Sequence, residues 1–233
     1  MNKEHLSIAD MMSGLMMVFL FIAIVFMLDA QRSKNEIERQ KNAMAEIALI
    51  AERSRKQLHQ ELLQEFASDL TQWNAEILAD NTVRFNAPNV LFKQGKSTLR
   101  PKFTAILKSF FPRYITILQR YHDDIEAIRI EGHTSSDWLN ADDIATRYLE
   151  NVKLSQKRAL STLTYCYNLL KASEVQRTWL QQVLRANGLS FAKLIRNADG
   201  SENQDKSRRV EFKVVTKAEQ KLYKILERSK MVY

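Results

Sequence analysis

An acidic side chain interrupts an apolar run near the N-terminus. Asp10 lies two residues inside residues 8–28, which are otherwise almost wholly apolar. A carboxylate in a membrane helix costs roughly 2.5–3.5 kcal/mol, and such groups usually face a protein interior or a water path, where they often carry protons or ions. The alternative is that Asp10 marks the start of a helix, where a negative charge suits the helix dipole. Both interpretations remain open from the residues alone.

The apolar run has the length of a membrane span. As a helix its about 21 residues would extend roughly 31 Å, enough to cross a bilayer core. The run exceeds a usual signal-peptide core, and Met27-Leu28-Asp29-Ala30 is a poor cleavage site. The positive-inside signal is weak, but a short leader before a large C-terminal part favours the N-terminus inside. We expect residues 1–7 to be a cytoplasmic leader and residues 8–28 to be one uncleaved transmembrane helix.

The charge composition indicates which kinds of binding partner to expect. The chain has 35 basic and 27 acidic residues, a net charge of +8. The basic residues are interspersed with acids along helical segments, which is typical of a solvated surface near anionic lipid or polymer, so we expect no nucleic-acid partner. The part after the apolar run is long enough for one domain and a connecting segment.

Cysteine and histidine usage gives no metal signature. The single cysteine, Cys166, lies in an apolar stretch, which favours a buried thiol over an intermolecular disulfide. The four histidines are scattered and no HExxH motif occurs. We therefore expect no metal site.

A helical stalk is predicted over residues 29–81. Between residues 31 and 81 there is no proline or glycine, and the heptad pattern is weak. If helical throughout, this segment would extend roughly 75 Å and hold the distal domain away from the bilayer. A stronger three-four stripe near its end should pack on something: Leu62, Phe66, Leu70, Trp73 and Ile77.

The remainder is predicted to be an α+β domain over residues 82–216, with a mixed sheet packed against helices. Residues 81–85, 125–131 and 209–215 have strand character. Residues 102–121, 142–170 and 175–186 have helical spacing. Pro112 should kink the first of these helices or divide it, and Asn187-Gly188 should end the third. A short basic helix within residues 217–233 should close the chain.

Four short motifs occur in order along this domain. They are VLFKQGKSTLRP at residues 90–101, IEGHT at 130–134, NVKLSQKRA at 151–159 and RRVEF at 208–212. Together they resemble the motifs of the OmpA-like peptidoglycan-binding domain, whose pattern N-x-x-L-S-x-x-R-A is matched at every fixed position. Residues 172–187 look like extra helix relative to the compact family domain.

The resemblance implies a peptidoglycan site. In that family an arginine and an aspartate hold the carboxylate and the amine of a stem peptide, which suits a guanidinium fork and an acid. The motif carries the arginine role onto Arg158. The family's G-x-T-D is Gly132-His133-Thr134-Ser135 here, so a hydroxyl replaces the acid, and Asp137 is a possible substitute. The implied peptidoglycan-binding residues are Arg158, Thr134, Ser135, Leu154, Asn151 and Asp137.

The apolar run carries a second resemblance. IADMMSGLMM at residues 8–17 is similar to the pattern Y-A-D-F-M-T-x-L/M-M-x of the B subunits of ion-driven stators, as in the flagellar motor. The resemblance implies that Asp10 carries the ion, H⁺ or Na⁺, and that Ser13 lies beside the ion path. Asp10, Ser13, Gly14 and Met17 share one helical face by their three-four spacing.

The stator resemblance also implies partners and a location. Two copies of this chain would form a homodimer inside a ring of five copies of a polytopic membrane subunit, with the distal domain bound to peptidoglycan. The chain would cross the bacterial inner membrane once, with a periplasmic C-terminal domain.

The leader and the segment after the apolar run bear on which molecular machine the stator-like chain belongs to. Flagellar versions usually carry a longer basic leader and a proline-bearing plug after the span, whereas here no proline precedes Pro88. The chain resembles more closely the membrane B component of Zorya anti-phage systems. The alternatives are a flagellar-type stator subunit, a passive envelope tether in which Asp10 only caps the helix, and a wall hydrolase. No nucleophile–base pairing or metal motif supports the hydrolase, so we expect no enzymatic activity and no bound cofactor.

Overall fold

The computed structural model describes residues 2–138, 143–170 and 174–217. The chain divides into two compact units, with the boundary between Leu49 and Ile50. The closing helix expected within residues 217–233 lies outside the described residues after Lys217.

A long helix begins near the N-terminus. Helix α1 spans Asn2–Trp73, and no proline or glycine follows Gly14 within it. Its most apolar window has a mean hydropathy of 2.6, and the side chains of residues 11–28 are exposed. By length and composition α1 can cross a membrane. The expected apolar N-terminal helix followed by a helical stalk is confirmed.

The last turns of α1 belong to the second unit. The side chains that fall on one face of the helix by three-four spacing are buried: Leu58, Leu62, Phe66 and Trp73. The helix ends where Asn74 takes a positive φ of 50°, a conformation that asparagine tolerates after a helix. Strand β1, Ala75–Ile77, follows at once. The expected boundary at residue 81 therefore moves towards the N-terminus, because the apolar stripe packs into the domain instead of remaining a stalk.

The second unit is built on one mixed sheet. After β1 come β2 Val83–Phe85, α2 Pro88–Leu91, α3 Pro101–Gln119, β3 Ile125–Gly132, α4 Ile144–Leu169, α5 Glu174–Val183, β4 Leu184–Gly188, α6 Gln204–Ser207 and β5 Val210–Thr216. The strand order is β1-β2-β5-β3-β4. Only the β3–β4 pair is parallel, and the other pairs are antiparallel. The expected α+β class with a mixed sheet is confirmed.

Strand β4 corrects one expectation. Residues 175–186 were expected to be a helix ending at Asn187-Gly188, but α5 ends at Val183 and the next five residues form β4. The strand pairs with β3 from Ile128↔Leu184 to Gly132↔Gly188. Backbone hydrogen bonds to β3 decide the conformation here, because tertiary pairing overrides a weak local preference. The segment that looked like extra helix thus contains the helix α5, and its end supplies one of the two edge strands of the sheet.

Pro112 was expected to kink its helix or to divide it, and of these two outcomes division does not occur. It lies inside α3, which is one helix and not two. Proline cannot donate to the carbonyl four residues earlier, that of Lys108. Helix α3 nevertheless continues through the proline to Gln119 without dividing.

Aromatic side chains join the elements of this unit. Phe110 of α3 has its ring centroid 5.2 Å from that of Phe66 on α1, 5.2 Å from Phe85 on β2 and 5.1 Å from Phe212 on β5. All four rings are fully buried. Such pairs add roughly 0.5–1.5 kcal/mol each beyond the area that they bury. The end of α1 is therefore part of the core that supports the sheet.

Ion pairs reinforce the contact between α1 and α3. Arg113 of α3 lies 2.6 Å from the Glu65 carboxylate and 2.9 Å from that of Asp69, and Arg120 lies 2.5 Å from Glu61. Partly exposed pairs of this kind contribute up to about 1 kcal/mol each. They fix the helix pair in register more than they stabilise it.

Truncation of Leu62 tests whether the end of α1 is core. Leu62 is 0% exposed and its neighbour Leu63 is 38% exposed. We expect Leu62→Ala to lower the free energy of unfolding by about 2–5 kcal/mol, because a buried cavity is left. Leu63→Ala is the matched control and should change it by less than about 0.5 kcal/mol. Urea unfolding of the full chain in mild detergent, followed by tryptophan fluorescence, measures both. Equal effects would contradict the packing described.

Candidate functional site

A cavity of about 560 Å³ opens between the start of α4, the end of β3 and the loop before α3. The residues lining it include Asn89, Phe92, Gly95, Trp138, Gln204, Arg208 and Arg209. All six residues that the sequence nominates for ligand binding also line it: Thr134, Ser135, Asp137, Asn151, Leu154 and Arg158. The structure therefore brings the nominated side chains together at one place.

Two glycines set the distance between α4 and the sheet. A Cβ on Gly132 would lie 2.4 Å from the Ser155 carbonyl oxygen, and one on Gly188 would lie 2.3 Å from the Gln156 backbone nitrogen. Real side chains do not approach backbone atoms so closely. Ser155 Oγ accepts a hydrogen bond from the Ser190 backbone N–H at 3.0 Å in the same contact. Helix α4 can therefore lie directly on β3 and β4, which places its adjacent turns at the cavity.

Arg158 is a buried cation at the wall of the cavity. Its side chain is only 8% exposed. Its Nε donates to the Lys96 carbonyl at 3.0 Å, one Nη donates to the Lys93 carbonyl at 3.4 Å, and the guanidinium carbon lies 5.0 Å from the Phe92 ring centroid. No carboxylate in the described ranges lies within ion-pair distance of it. Arg158 is held by backbone and an aromatic face.

The electrostatics of Arg158 favour an anionic ligand. Burial, aided by the nearby charge of Arg208, lowers the pKa of Arg158 to about 10. The group therefore remains protonated at neutral pH. A buried charge without a counter-charge costs free energy, and an anion that pairs with it recovers this cost. A guanidinium fork suits a carboxylate bidentately.

Hydroxyl and amide groups line the same cavity. The Thr134 backbone N–H donates to the Ser190 carbonyl at 2.9 Å, but its buried Oγ1 has no hydrogen-bond partner among the residues described. Ser135 is buried beside it. The Asn151 amide donates to the Asp137 carbonyl at 3.3 Å, which ties α4 to the loop after β3. The Thr134 hydroxyl is thus an unsatisfied buried group beside the cavity.

Asp137 lies at the rim and not at the buried position that Ser135 holds. Its side chain is exposed, and its carboxylate accepts a hydrogen bond from the Gln204 amide at 2.5 Å. The adjacent Ser136 is tied to the Glu202 carboxylate through its backbone N–H and its hydroxyl. The acid is therefore already engaged by a neighbouring side chain.

Two arginines of the cavity were not nominated from the sequence. Arg208 is paired with Asp205 at 2.5 Å, and Arg209 is buried with its Nε 2.6 Å from the Glu211 carboxylate. Both belong to the RRVEF motif, and two adjacent arginines before a strand were the available signal. That motif predicts a strand, but only the fold shows that its first residues reach the cavity.

A row of polar side chains crosses the sheet beside this site. Cross-strand register aligns one residue from each strand: Glu76, Arg84, Glu211, Glu131 and Asn187. Arg84 joins two of them, with its Nε 2.7 Å from Glu211 and one Nη 3.2 Å from Glu76. We call these five residues the polar row. Their charges are partly neutralised within the row and by Arg209.

His133 lies against the polar row. Its Nε2 is 3.4 Å from a Glu211 oxygen and 3.8 Å from a Glu131 oxygen, and the three ligand atoms lie within 4.8 Å of one another. This grouping could not be predicted from the motifs, because the two glutamates meet only through the β3–β5 register. Although the spacing could hold a metal ion, Arg84 and Arg209 already pair with Glu211, and they would repel a cation.

Burial governs the protonation of this cluster. It lowers the pKa of His133, with the charge of Arg209 acting in the same direction. For Glu211, burial alone would raise the pKa, but the contacts with His133 and Arg209 outweigh it and leave the pKa well below its usual value. A neutral imidazole beside an ionised glutamate is the state at neutral pH.

The two residues nominated for ion transport lie on α1. The backbone of Asp10 is helical, but its side chain lies outside the described part of the chain. Ser13 is exposed on α1. Their roles in ion transport stay predictions.

Comparisons with known proteins cover both the distal domain and nearly the whole chain. The OmpA family profile matches residues 91–211. The Zorya protein ZorB of Escherichia coli is 40% identical over 227 residues, which cover 97% of this chain and 93% of that protein. The crystal structure of a MotB-like protein from Desulfovibrio vulgaris superposes with a TM-score of 0.51 at 20% identity, covering 76% of this chain and 98% of the other.

The matched profile and the fold define the class, an OmpA-family domain that follows a long apolar helix. Within that class, the 40% sequence identity to ZorB over nearly the whole length decides the family. The chain belongs to the family of the Zorya protein ZorB. The resemblances to the OmpA-like domain and to the Zorya B component are thereby confirmed, and the MotB-like structure shares the fold.

Acid sensitivity tests the state of His133. Its lowered pKa means that the unfolded chain binds a proton below about pH 6.5 while the folded chain does not, so stability should fall as pH falls from that value. We expect His133→Gln to flatten the dependence of the urea midpoint on pH between pH 7.5 and 5. His122→Gln removes an exposed histidine and should keep the dependence of the unaltered protein. An unchanged slope in His133→Gln would contradict a buried neutral imidazole.

Proposed function

We propose that this chain is a stator-like subunit that anchors an ion-driven inner-membrane complex to peptidoglycan and acts in anti-phage defence. The observation that carries the anchoring function is Arg158, a buried guanidinium that faces a cavity without a carboxylate partner in the described ranges. The relative that supports the defence role is named a Zorya protein.

The cavity suits the carboxylate of a peptidoglycan stem peptide. Arg158 supplies a charged, planar donor whose remaining N–H groups can bind two oxygens in parallel. Thr134 and Ser135 offer hydroxyl groups beside it, and Leu154 offers an apolar wall. These are few polar groups at fixed positions within a concave surface, which is typical of small-ligand sites. An anionic peptide end is the ligand that this set fits best.

The apolar helix supports the membrane part of the proposal. The side chains of residues 11–28 are exposed and almost all apolar, so lipid or a membrane partner must cover them. Asp10 lies just before them in the same helix. In this proposal a proton or a sodium ion binds and neutralises the Asp10 carboxylate of one copy and then that of the other. The loss of charge in a low-dielectric site changes which contacts with the partner subunit are favourable. Ser13 would lie beside that path.

The proposed assembly has two copies of this chain within a ring of five polytopic subunits. The N-terminus lies in the cytoplasm and the OmpA-family domain lies in the periplasm. Binding to the wall holds the two copies still, so that ion passage moves the ring around them.

Removal of the Arg158 guanidinium tests wall binding. We expect Arg158→Ala to weaken co-sedimentation of the detergent-solubilised protein with purified sacculi by about tenfold or more, the loss of a charge-assisted pair. Lys157→Ala removes the same charge from an exposed neighbouring position on α4 and should bind as the unaltered protein does. Equal binding by both variants, with folding confirmed by circular dichroism, would exclude Arg158 as the anchoring residue.

Neutralisation of Asp10 tests ion carriage. We expect Asp10→Asn to leave co-purification with a polytopic partner intact and to abolish protection against phage, because an amide does not titrate. Asp29→Asn changes an exposed acid of the same helix beyond the apolar run, and it should retain protection. Plaque counts and detergent co-purification give the two readouts. Full protection by Asp10→Asn would favour a passive tether.

A further inference from the structure

The charges around the cavity affect whether it can bind a ligand that carries a free ammonium group. Three guanidinium groups line it, those of Arg158, Arg208 and Arg209, whereas Asp137 is the one carboxylate among its described lining residues. Building on the proposed function, we propose that the cavity binds the carboxylate of a stem peptide and requires no free ammonium group. It therefore accepts peptides whose side-chain amine is blocked as an amide by cross-linking.

The buried part of the cavity has no counter-charge for an ammonium group. Thr134 and Ser135, which are 3% and 4% exposed, present only hydroxyls there. Removing an ammonium from water without a carboxylate partner is costly, and a hydroxyl does not offset that cost. The charge of Arg158, with Arg208 near enough to lower its pKa, would add repulsion. A cationic ligand group is thus disfavoured in this part.

Asp137 does not supply the missing charge. Its carboxylate is exposed at the rim, where solvent screens it, and the Gln204 amide occupies one of its oxygens at 2.5 Å. The loop that carries it is fixed further by the bonds between Ser136 and Glu202. To reach the buried end, Asp137 would have to break its bond to Gln204.

A neutral amide fits where an ammonium does not. An amide presents one donor and one acceptor, and a hydroxyl can serve either. The buried Thr134 Oγ1, which has no partner within the described chain, would gain one, and Ser135 could take the other. Leaving such a group unsatisfied costs about 1–3 kcal/mol, so a ligand that satisfies it is favoured. Cross-linking converts an amine of the wall into this kind of amide.

Chemically modified sacculi separate the two ligand groups. We would measure co-sedimentation of the full-length protein in mild detergent with three preparations: untreated sacculi, sacculi acetylated with acetic anhydride, and sacculi whose carboxylates are converted to amides by a carbodiimide with ammonium. Acetylation should change the apparent Kd by less than about twofold, and loss of the carboxylates should weaken it by about tenfold or more.

A carboxylate placed at the buried position provides the matched variant. The affinity of Ser135→Asp for acetylated sacculi should be about fivefold or more below its own affinity for untreated sacculi, because its carboxylate pairs with free amines. Lys157→Ala should follow the unaltered protein on all three preparations. If Ser135→Asp does not fold, the acetylation series with the unaltered protein decides the question by itself.

The outcomes distinguish this inference from the proposed function. Failure of the unaltered protein to bind untreated sacculi would overturn the proposed function. Binding to untreated sacculi that is lost on acetylation would leave the function standing and overturn amine independence. In that case, loss of the acetylation effect in Asp137→Asn would identify Asp137 as the ammonium partner. Retained binding after acetylation together with loss after carboxylate amidation supports the inference.

Discussion

The close contact of α4 with β3 and β4 is the constraint on which the site depends. Gly132 and Gly188 leave no room for a side chain, since a Cβ at either position would lie within 2.5 Å of the α4 backbone. This contact positions the turns of α4 on either side of Arg158, whose guanidinium donates to the loop carbonyls of Lys96 and Lys93. A buried, unneutralised cation is stable only where packing prevents its retreat to solvent, and the two glycines provide that packing.

How far the sequence predicts the fold depends on the length of each element. Helix α4 and the strand β3 follow from long periodic patterns and from motifs, and the structure has them within a residue or two. The short strands β1 and β4 do not follow, because three to five residues carry too little pattern. Their conformation comes from hydrogen bonds to neighbouring strands. The expected end of the stalk differs from the observed one for a related reason. An apolar stripe indicates that one face of a helix is buried, but it does not indicate which surface covers that face.

The residues of the site also fall into those that the sequence predicts and those that it does not. The cavity residues within motifs, such as Asn151 and Arg158, could be nominated because the spacing on one helix determines which side chains share a face. The polar row and His133 could not, because cross-strand neighbours depend on register, and a shift of one residue would turn every side chain to the opposite face. Arg209 belongs to both groups. It lines the cavity and neutralises Glu211, so the motif that carries it serves the site and the sheet together.

An anchor must also transmit load from its ligand to the rest of the chain. Within the second unit the path from the cavity is continuous, because α4 rests on β3, β3 pairs with β5, and Phe212 of β5 packs on Phe110 of α3. Phe110 in turn contacts Phe66 of α1, and the Arg113 ion pairs hold the same two helices. Each step is a packed or hydrogen-bonded contact and none is a flexible linker. Helix α1 therefore enters the domain as part of its core, as the proposed wall-bound anchor would require.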